Sequence, residues 1–167
     1  LRGVSQNGVN YSINYADLLK NTYDPNYGTI YTSGYEQSYP YIDIDNAPNL
    51  KVVASLNRAG SGLTTIKRDF QYHGAVSHMT GLGFAGFQGF SATNWYATYS
   101  QRIFNVVQND IQKRGAPILE YSTNTYANLS SAPSGYISKT SYTYSTPTIA
   151  ANKVYKIYKT ASATEDQ

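Results

Sequence analysis

Residues 50–72 read LKVVASLNRAGSGLTTIKRDFQY, and this stretch decides the fold class. Apolar and polar residues alternate over residues 50–57 and again over 64–72, on either side of a glycine-containing segment at 58–62. A period of two places successive side chains on opposite faces of a strand, so the pattern predicts a β-hairpin. One row of this hairpin is expected to be buried, namely Leu50, Val52, Leu56, Ile66 and Phe70.

Strand-like segments continue on both sides of the hairpin. The chain contains 18 tyrosines, and tyrosine and threonine favour pleated surfaces. Further strands are predicted at residues 83–93, 95–104, 118–126, 135–145 and 153–159, with shorter ones at 9–15 and 29–32. Residues 103–113 also fit a helical spacing, so their assignment stays open. The sequence therefore predicts an all-β fold, an antiparallel sheet of twisted hairpins.

Composition argues against several function classes. Charged residues make up only 14% of the chain, the net charge is +3, and the basic residues are scattered, whereas nucleic-acid-binding proteins concentrate them on one face. We therefore expect no nucleic-acid partner. The absence of cysteine removes disulfides and thiolate metal sites. No apolar run is long enough to predict a membrane span.

The domain organisation is predicted to be simple. No linker divides the chain, so residues 1–161 are expected to form one β-sheet module, which is part of a larger chain. Residues 162–167 are polar and are expected to form a frayed tail.

Few residues suggest catalysis or metal binding. The Asp43–Asn46 segment carries oxygen ligands that suit calcium, but it lacks the glycine and distal glutamate of an EF-hand loop, and a turn is favoured. His73 and His78 are the only histidines, and neither has a prepared partner in the sequence. We therefore predict no catalytic residue, no cofactor, no metal and no enzyme activity.

The most distinctive run is GLGFAGFQGF at residues 81–90. Its glycines do not mark a dinucleotide site, because the helix that must follow is not predicted. Glycine within a strand indicates a bend or a close approach of another backbone. We therefore expect close packing around Gly83 and Gly86.

Together with the sequence before it, this run resembles the Rhs/YD-repeat superfamily, in particular the middle region of insecticidal toxin-complex B components and virulence-plasmid B-type proteins. The similar pattern is Tyr-x-Tyr-x-Gly-Ala followed by Gly-x-Gly-Phe-x-Gly-Phe, and the resemblance covers roughly residues 27–120. The first tyrosine is replaced by phenylalanine, and the usual acidic residue after Gly-Ala is missing. The matching positions are Phe70, Tyr72, Gly74, Ala75, Gly81, Gly83, Phe84, Gly86 and Phe87.

The resemblance implies a context, with structural positions only and no catalytic residue. Such regions build a β-sheet that spirals into a hollow shell (a cocoon) around a C-terminal passenger or toxin. The implied partners are the remaining strands of the parent shell, or an assembly partner, and the enclosed polypeptide. The implied location is secreted or on the bacterial cell surface. An alternative from the residues alone is a carbohydrate-binding or adhesive module that uses exposed tyrosines and Trp95 as stacking platforms.

Overall fold

The predicted all-β fold is confirmed by the structure, a computed structural model that describes residues 2–18, 23–24, 28–34, 38–44, 50–125, 129, 134–146, 148–149 and 155–167. Within these residues the helical pieces are two short 3-10 turns, Tyr99–Gln101 and Ile111–Lys113. The strands are β1 (Gly3–Gln6), β2 (Val9–Asp17), β3 (Tyr23–Asp24), β4 (Gly28–Thr29), β5 (Tyr31–Thr32), β6 (Tyr41–Asp43), β7 (Lys51–Gly60), β8 (Leu63–His78), β9 (Gly83–Thr93), β10 (Phe104–Asp110), β11 (Ala116–Thr123), β12 (Ser138–Tyr144), β13 (Thr148–Ile149), β14 (Tyr155–Lys156) and β15 (Lys159–Asp166).

Most of these strands form one large antiparallel sheet. Its order is β1-β2-β7-β8-β9-β10-β11-β12-β15, so neighbours in the sheet are mostly neighbours in sequence. The predicted hairpin is β7–β8, and the strand predicted at 83–93 is β9. Two short strands add to β8, with β5 parallel and β6 antiparallel to it. Two separate two-stranded ladders, β3–β4 and β13–β14, complete the described structure.

Strand β8 connects two regions of the sheet. Its first half pairs with β7, and its second half pairs with β9 on one side and with β5 and β6 on the other. At 16 residues it is much longer than an average strand. Gly74 lies in the second half with a φ of 59°, where a side chain would be strained. The long strand therefore sets the relative position of the two regions.

A β-bulge in β7 overturns the predicted buried row. The bulge lies at Ala54, where the pairing with β2 shifts by one residue. One extra residue moves the side chains that follow it to the opposite face. Val52 is therefore buried, whereas Leu56 and Ile66 lie on a half-buried face. In the first half of β8, residues 63–70, the buried position is Asp69, which is only 2% exposed.

The apolar core consists of two clusters on different parts of the sheet. The first packs around the second half of β8, and Leu50 and Phe70 lie partly buried against it. Its buried members are Ala16, Leu18, Ile30, Tyr31, Val52, Ala54, Tyr72 and Ala75. The second lies on β10 and β11, and consists of Phe104, Val106, Tyr121 and Leu129.

Two further expectations are corrected. Residues 95–104 do not form a continuous strand, because the side-chain oxygen of Gln101 accepts hydrogen bonds from the N–H groups of Ala97 and Thr98 and closes a turn. Residues 103–113 divide into β10 and a 3-10 turn.

The tail predicted at 162–167 is not frayed, because residues 162–166 belong to β15 and pair with β12. The side chains of β15 are exposed, so the polar composition of the predicted tail reflects a strand in contact with solvent.

Candidate functional site

The two halves of the glycine- and phenylalanine-containing motif form one hairpin. Phe70, Tyr72, Gly74 and Ala75 lie in β8, Gly81 lies in the turn, and Gly83, Phe84, Gly86 and Phe87 lie in β9. Ala75 stands opposite Phe87 in the ladder. Residues that are separate in the sequence are therefore neighbours in the structure. We call β8 from residue 70 onwards, together with β9, the Gly-Phe hairpin.

Aromatic contacts hold the Gly-Phe hairpin together. The Tyr72 ring lies 4.8 Å from that of Phe87 and 5.5 Å from that of Phe90, measured between centroids. Its hydroxyl donates to the carbonyl of Val53 at 2.9 Å, which ties the hairpin to β7. Burial raises the pKa of Tyr72 to about 12. The Tyr72 hydroxyl therefore keeps its proton at neutral pH and acts as a hydrogen-bond donor, and the ring acts as a packing group.

The expected close packing at Gly83 and Gly86 is wrong. A Cβ atom at either position would meet nothing within 4 Å. Their φ angles of 68° and 113° explain the glycines instead, because L side chains rarely adopt such backbone conformations. Close approach occurs at Gly74, where a Cβ would lie 2.1 Å from Oε1 of Gln88. It also occurs at Gly89, where the carbonyl oxygen of Leu129 would lie at 2.8 Å.

The structure also contains a buried charge network that the sequence did not reveal. The Asp69 carboxylate lies 3.0 Å from Nζ of Lys67 and 3.9 Å from Nη1 of Arg102. The Tyr96 hydroxyl donates to the same carboxylate, and burial, followed by this hydrogen bond, raises the pKa of Tyr96. The Arg102 guanidinium lies 4.6 Å from the centroid of the Phe104 ring. Because Asp69 is only 2% exposed and already pairs with these cations, we interpret the network as a structural tie between β8 and the 94–103 segment.

Each histidine contacts side chains of the described sheet and its turns. His73 is buried, its Nδ1 is hydrogen-bonded to Oγ1 of Thr32 at 2.8 Å, and burial lowers its pKa. It lines a small polar cavity of about 190 Å³, together with Gln88, Gln108, Asn109, Ile118 and Leu129. Nδ1 of His78 lies 3.4 Å from Oγ1 of Thr80, and its ring packs against Tyr41. The side chains described around this cavity include no carboxylate and no hydroxyl nucleophile.

The candidate calcium segment is only partly described. Asp43 lies in β6 and stands opposite Val76 of β8, whereas residues 45–46 lie outside the described residues. Within the described ranges, no three histidine, aspartate or glutamate side chains group closely enough to hold a metal ion.

One face of the sheet, exposed on β1 and half-buried on β2, β7 and β8, combines arginines with apolar side chains. Cross-strand partners share a face, and the ladder places Val4 opposite Tyr11, Tyr11 opposite Arg58, and Arg58 opposite Ile66. Trp95 contacts the Tyr11 ring edge-on at 6.4 Å, so it lies at this face as well. We call this surface the arginine–aromatic face, and its members are Val4, Tyr11, Ile13, Leu56, Arg58, Ile66, Arg68 and Trp95.

A groove of about 580 Å³ lies at one end of the arginine–aromatic face. It is lined by Arg2, Ile13, Asn14, Tyr15 and Lys51. The Lys51 ammonium forms an ion pair of 2.5 Å with Asp17. Cationic groups therefore extend from the face into the groove. Alternation in the sequence places Leu56 and Ile66 in one row, and the bulge at Ala54 separates this row from the buried Val52.

No helix of the described residues is long and apolar enough to cross a membrane. Comparisons with family models, curated proteins and solved structures gave no match for this chain.

Proposed function

We propose that this chain is a structural segment of a β-sheet shell in a larger, Rhs-like secreted bacterial protein, where it helps to enclose or carry a C-terminal polypeptide passenger. The observation that carries this proposal is a continuous ladder of strands whose two outermost members, β1 and β15, are open on their outer sides among the described residues. A shell wall requires a sheet that neighbouring strands can continue.

The edge strands have little protection against pairing. Open edges present N–H and C=O groups that pair with other strands, and self-contained proteins often block them with charge or proline. β1 has the sequence GVSQ and carries neither, and all four residues are exposed. β15 carries charge only at its ends, with Lys159 at one end and Glu165 and Asp166 at the other. Both edges are therefore suited to further strands.

The two faces of β1, β2 and β7 have different chemistry, as a wall between solvent and a passenger requires. The arginine–aromatic face carries apolar rings and guanidinium groups. The opposite face is polar around Asn10, Ser12 and Asn57, where Nδ2 of Asn57 lies 3.4 Å from Oγ of Ser12, and becomes apolar at Ala16 and Val52. Antiparallel sheets support such unlike faces because successive side chains alternate between them.

A carbohydrate-binding module is the second candidate. Tyr11 and Trp95 lie together on a half-buried face, as this function requires. However, the Arg58 guanidinium lies over the Tyr11 ring at 6.0 Å from its centroid, so this ring face is not free for a sugar.

The open edges can be tested with the full 167-residue chain. We expect reversible, concentration-dependent association in sedimentation velocity, because an uncovered edge pairs with another copy. Ser162→Lys in the middle of β15 should lower this association, because charged side chains disfavour edge pairing. Ser61→Lys is the matched control, since Ser61 lies in the exposed turn between β7 and β8.

A monomer at all concentrations with a sharp, reversible unfolding transition would argue for a self-sufficient binding module. The coding sequence on either side of this chain provides an independent test. YD repeats followed by a variable C-terminal region support the shell, whereas a signal peptide with tandem β-modules supports an adhesin.

A further inference from the structure

We propose that the arginine–aromatic face binds an acidic, extended segment of polypeptide. This inference goes beyond the shell proposal, because it concerns a face of the sheet and not the edges that further strands would extend. It holds or fails whether or not the chain belongs to a shell.

The charge of the surface determines the charge of the partner. Arg58 and Arg68 lie on the face, and Arg2 lies at the adjoining groove. Among the described residues in this region, the carboxylate is Asp17, and Lys51 already pairs with it. The surface therefore has cationic groups without matching acids, and complementary charge steers and aligns partners.

Arg68 provides a second observation. Its Nε atom is buried, yet it makes no hydrogen bond to any described residue. Its guanidinium lies 5.5 Å from the centroid of the Phe70 ring, so the side chain is held against the sheet. Because Nε is buried, a partner can reach only the rest of the guanidinium, and a carboxylate is the group that best pairs with it.

The arrangement of the rings favours a polypeptide over a sugar. Tyrosine, tryptophan and arginine are the residues that contribute most to protein–protein interfaces. Arg58 covers the Tyr11 ring, and Trp95 contacts that ring edge-on, so a flat stacking platform is not presented. Leu56 and Ile66 offer aliphatic contacts between the arginines. An extended segment that alternates acidic and apolar side chains matches this pattern.

Trp95 is the only tryptophan of the chain, so its signal reports binding at this face directly. The probe is a short peptide of alternating glutamate and leucine, titrated into the full chain and followed by the Trp95 indole N–H resonance and by fluorescence. We expect a saturable change with this peptide and none with a counterpart in which lysine replaces glutamate.

Charge-matched variants separate specific binding from general attraction. The double variant R58Q/R68Q should weaken binding of the acidic peptide by about tenfold or more, because charge-assisted hydrogen bonds are lost. The control R114Q/K156Q removes two positive charges elsewhere and should change affinity by less than roughly twofold, because exposed distant charges are screened. Equal weakening in the two double variants, or no Trp95 response, overturns the proposal.

Two further measurements cover the remaining outcomes. If R58Q/R68Q does not fold, R58K/R68K retains the charge but loses the planar guanidinium, and it should still weaken peptide binding. Unchanged affinity in that variant overturns the role of the arginines. An alginate oligosaccharide and a neutral cello-oligosaccharide are tested in parallel. A Trp95 response to either sugar without a response to the peptide overturns the polypeptide assignment and identifies a carbohydrate surface.

Discussion

Gly74 and Gly86 occupy different structural settings within the Gly-Phe hairpin, although both have a positive φ. Gly86 has open space around it and a φ of 113°. Gly74 also has a positive φ, and in addition it faces Gln88 at close range. The first setting requires backbone freedom alone, whereas the second requires backbone freedom and the absence of a side chain.

This difference predicts a graded loss of stability. Gly86→Ala should lower the free energy of unfolding by about 1–3 kcal/mol through backbone strain. Gly74→Ala should lower it further, because the new Cβ also meets Gln88. Gly135→Ala is the control, since Gly135 has open space and no positive φ. Urea denaturation measures all three, and equal effects at Gly74 and Gly86 would contradict the packing part of the interpretation.

His73 predicts a pH dependence. Burial lowers its pKa in the folded protein, so the unfolded chain takes up a proton first as pH falls through about 6.5. The free energy of unfolding should therefore decrease below pH 7, by at most about 1.4 kcal/mol per pH unit from this group, until the folded histidine is protonated as well. His73→Gln should remove this contribution, and His78→Gln leaves His73 in place as a control. A slope that His73→Gln does not change would contradict the assignment.

At the scale of elements, local alternation predicts strands but not how they are buried. The β7–β8 hairpin and β9 follow from a period of two and a glycine turn, which are local properties. The bulge at Ala54 depends on pairing with β2, a strand distant in sequence. The burial of Asp69 depends on Arg102 and Tyr96, which reach it from another segment. Alternation groups Leu56 with Ile66, but the half-buried state of their row follows from the bulge and could not be predicted locally.

The Asp69 network predicts that a small change in the Asp69 side chain has a large effect on stability. Asp69→Asn removes the carboxylate charge that Lys67 and Arg102 share. It should lower the free energy of unfolding by about 3 kcal/mol or more, because buried cations lose their partner. Asp110→Asn is the matched control. Asp110 pairs with Lys113 at a more exposed position, and the effect there should be below about 1 kcal/mol. Similar losses in the two variants, measured by urea denaturation, would argue against a special role for the buried network.

At the scale of the whole molecule, the sheet is continuous but its core is divided. Val52 belongs to the cluster around β8, and Val106 belongs to the cluster on β10 and β11. The two clusters share no buried member. Their connection is the hydrogen-bonded ladder itself, which runs through β8, β9 and β10.

The divided core predicts additive mutations. Val52→Ala and Val106→Ala should each cost about 2 kcal/mol, because each deletes buried methyl groups. The double variant should lose the sum of the two free energies within about 0.5 kcal/mol, since the two side chains belong to different clusters among the described residues. A single coincident transition by tyrosine absorbance and Trp95 fluorescence is the accompanying control. Strong non-additivity would show that the clusters are coupled through the sheet.

The position of β1 and β15 at opposite edges has a mechanical consequence. Force applied between residues 2 and 167 reaches the outermost strands first and acts across the ladder, so hydrogen bonds open one after another in the manner of a zipper. If the force acted parallel to the strands, many interstrand hydrogen bonds would instead have to break at once. The chain should therefore yield at low force from its rims inward, and the long strand β8, which has partners on both sides, should be among the last to separate.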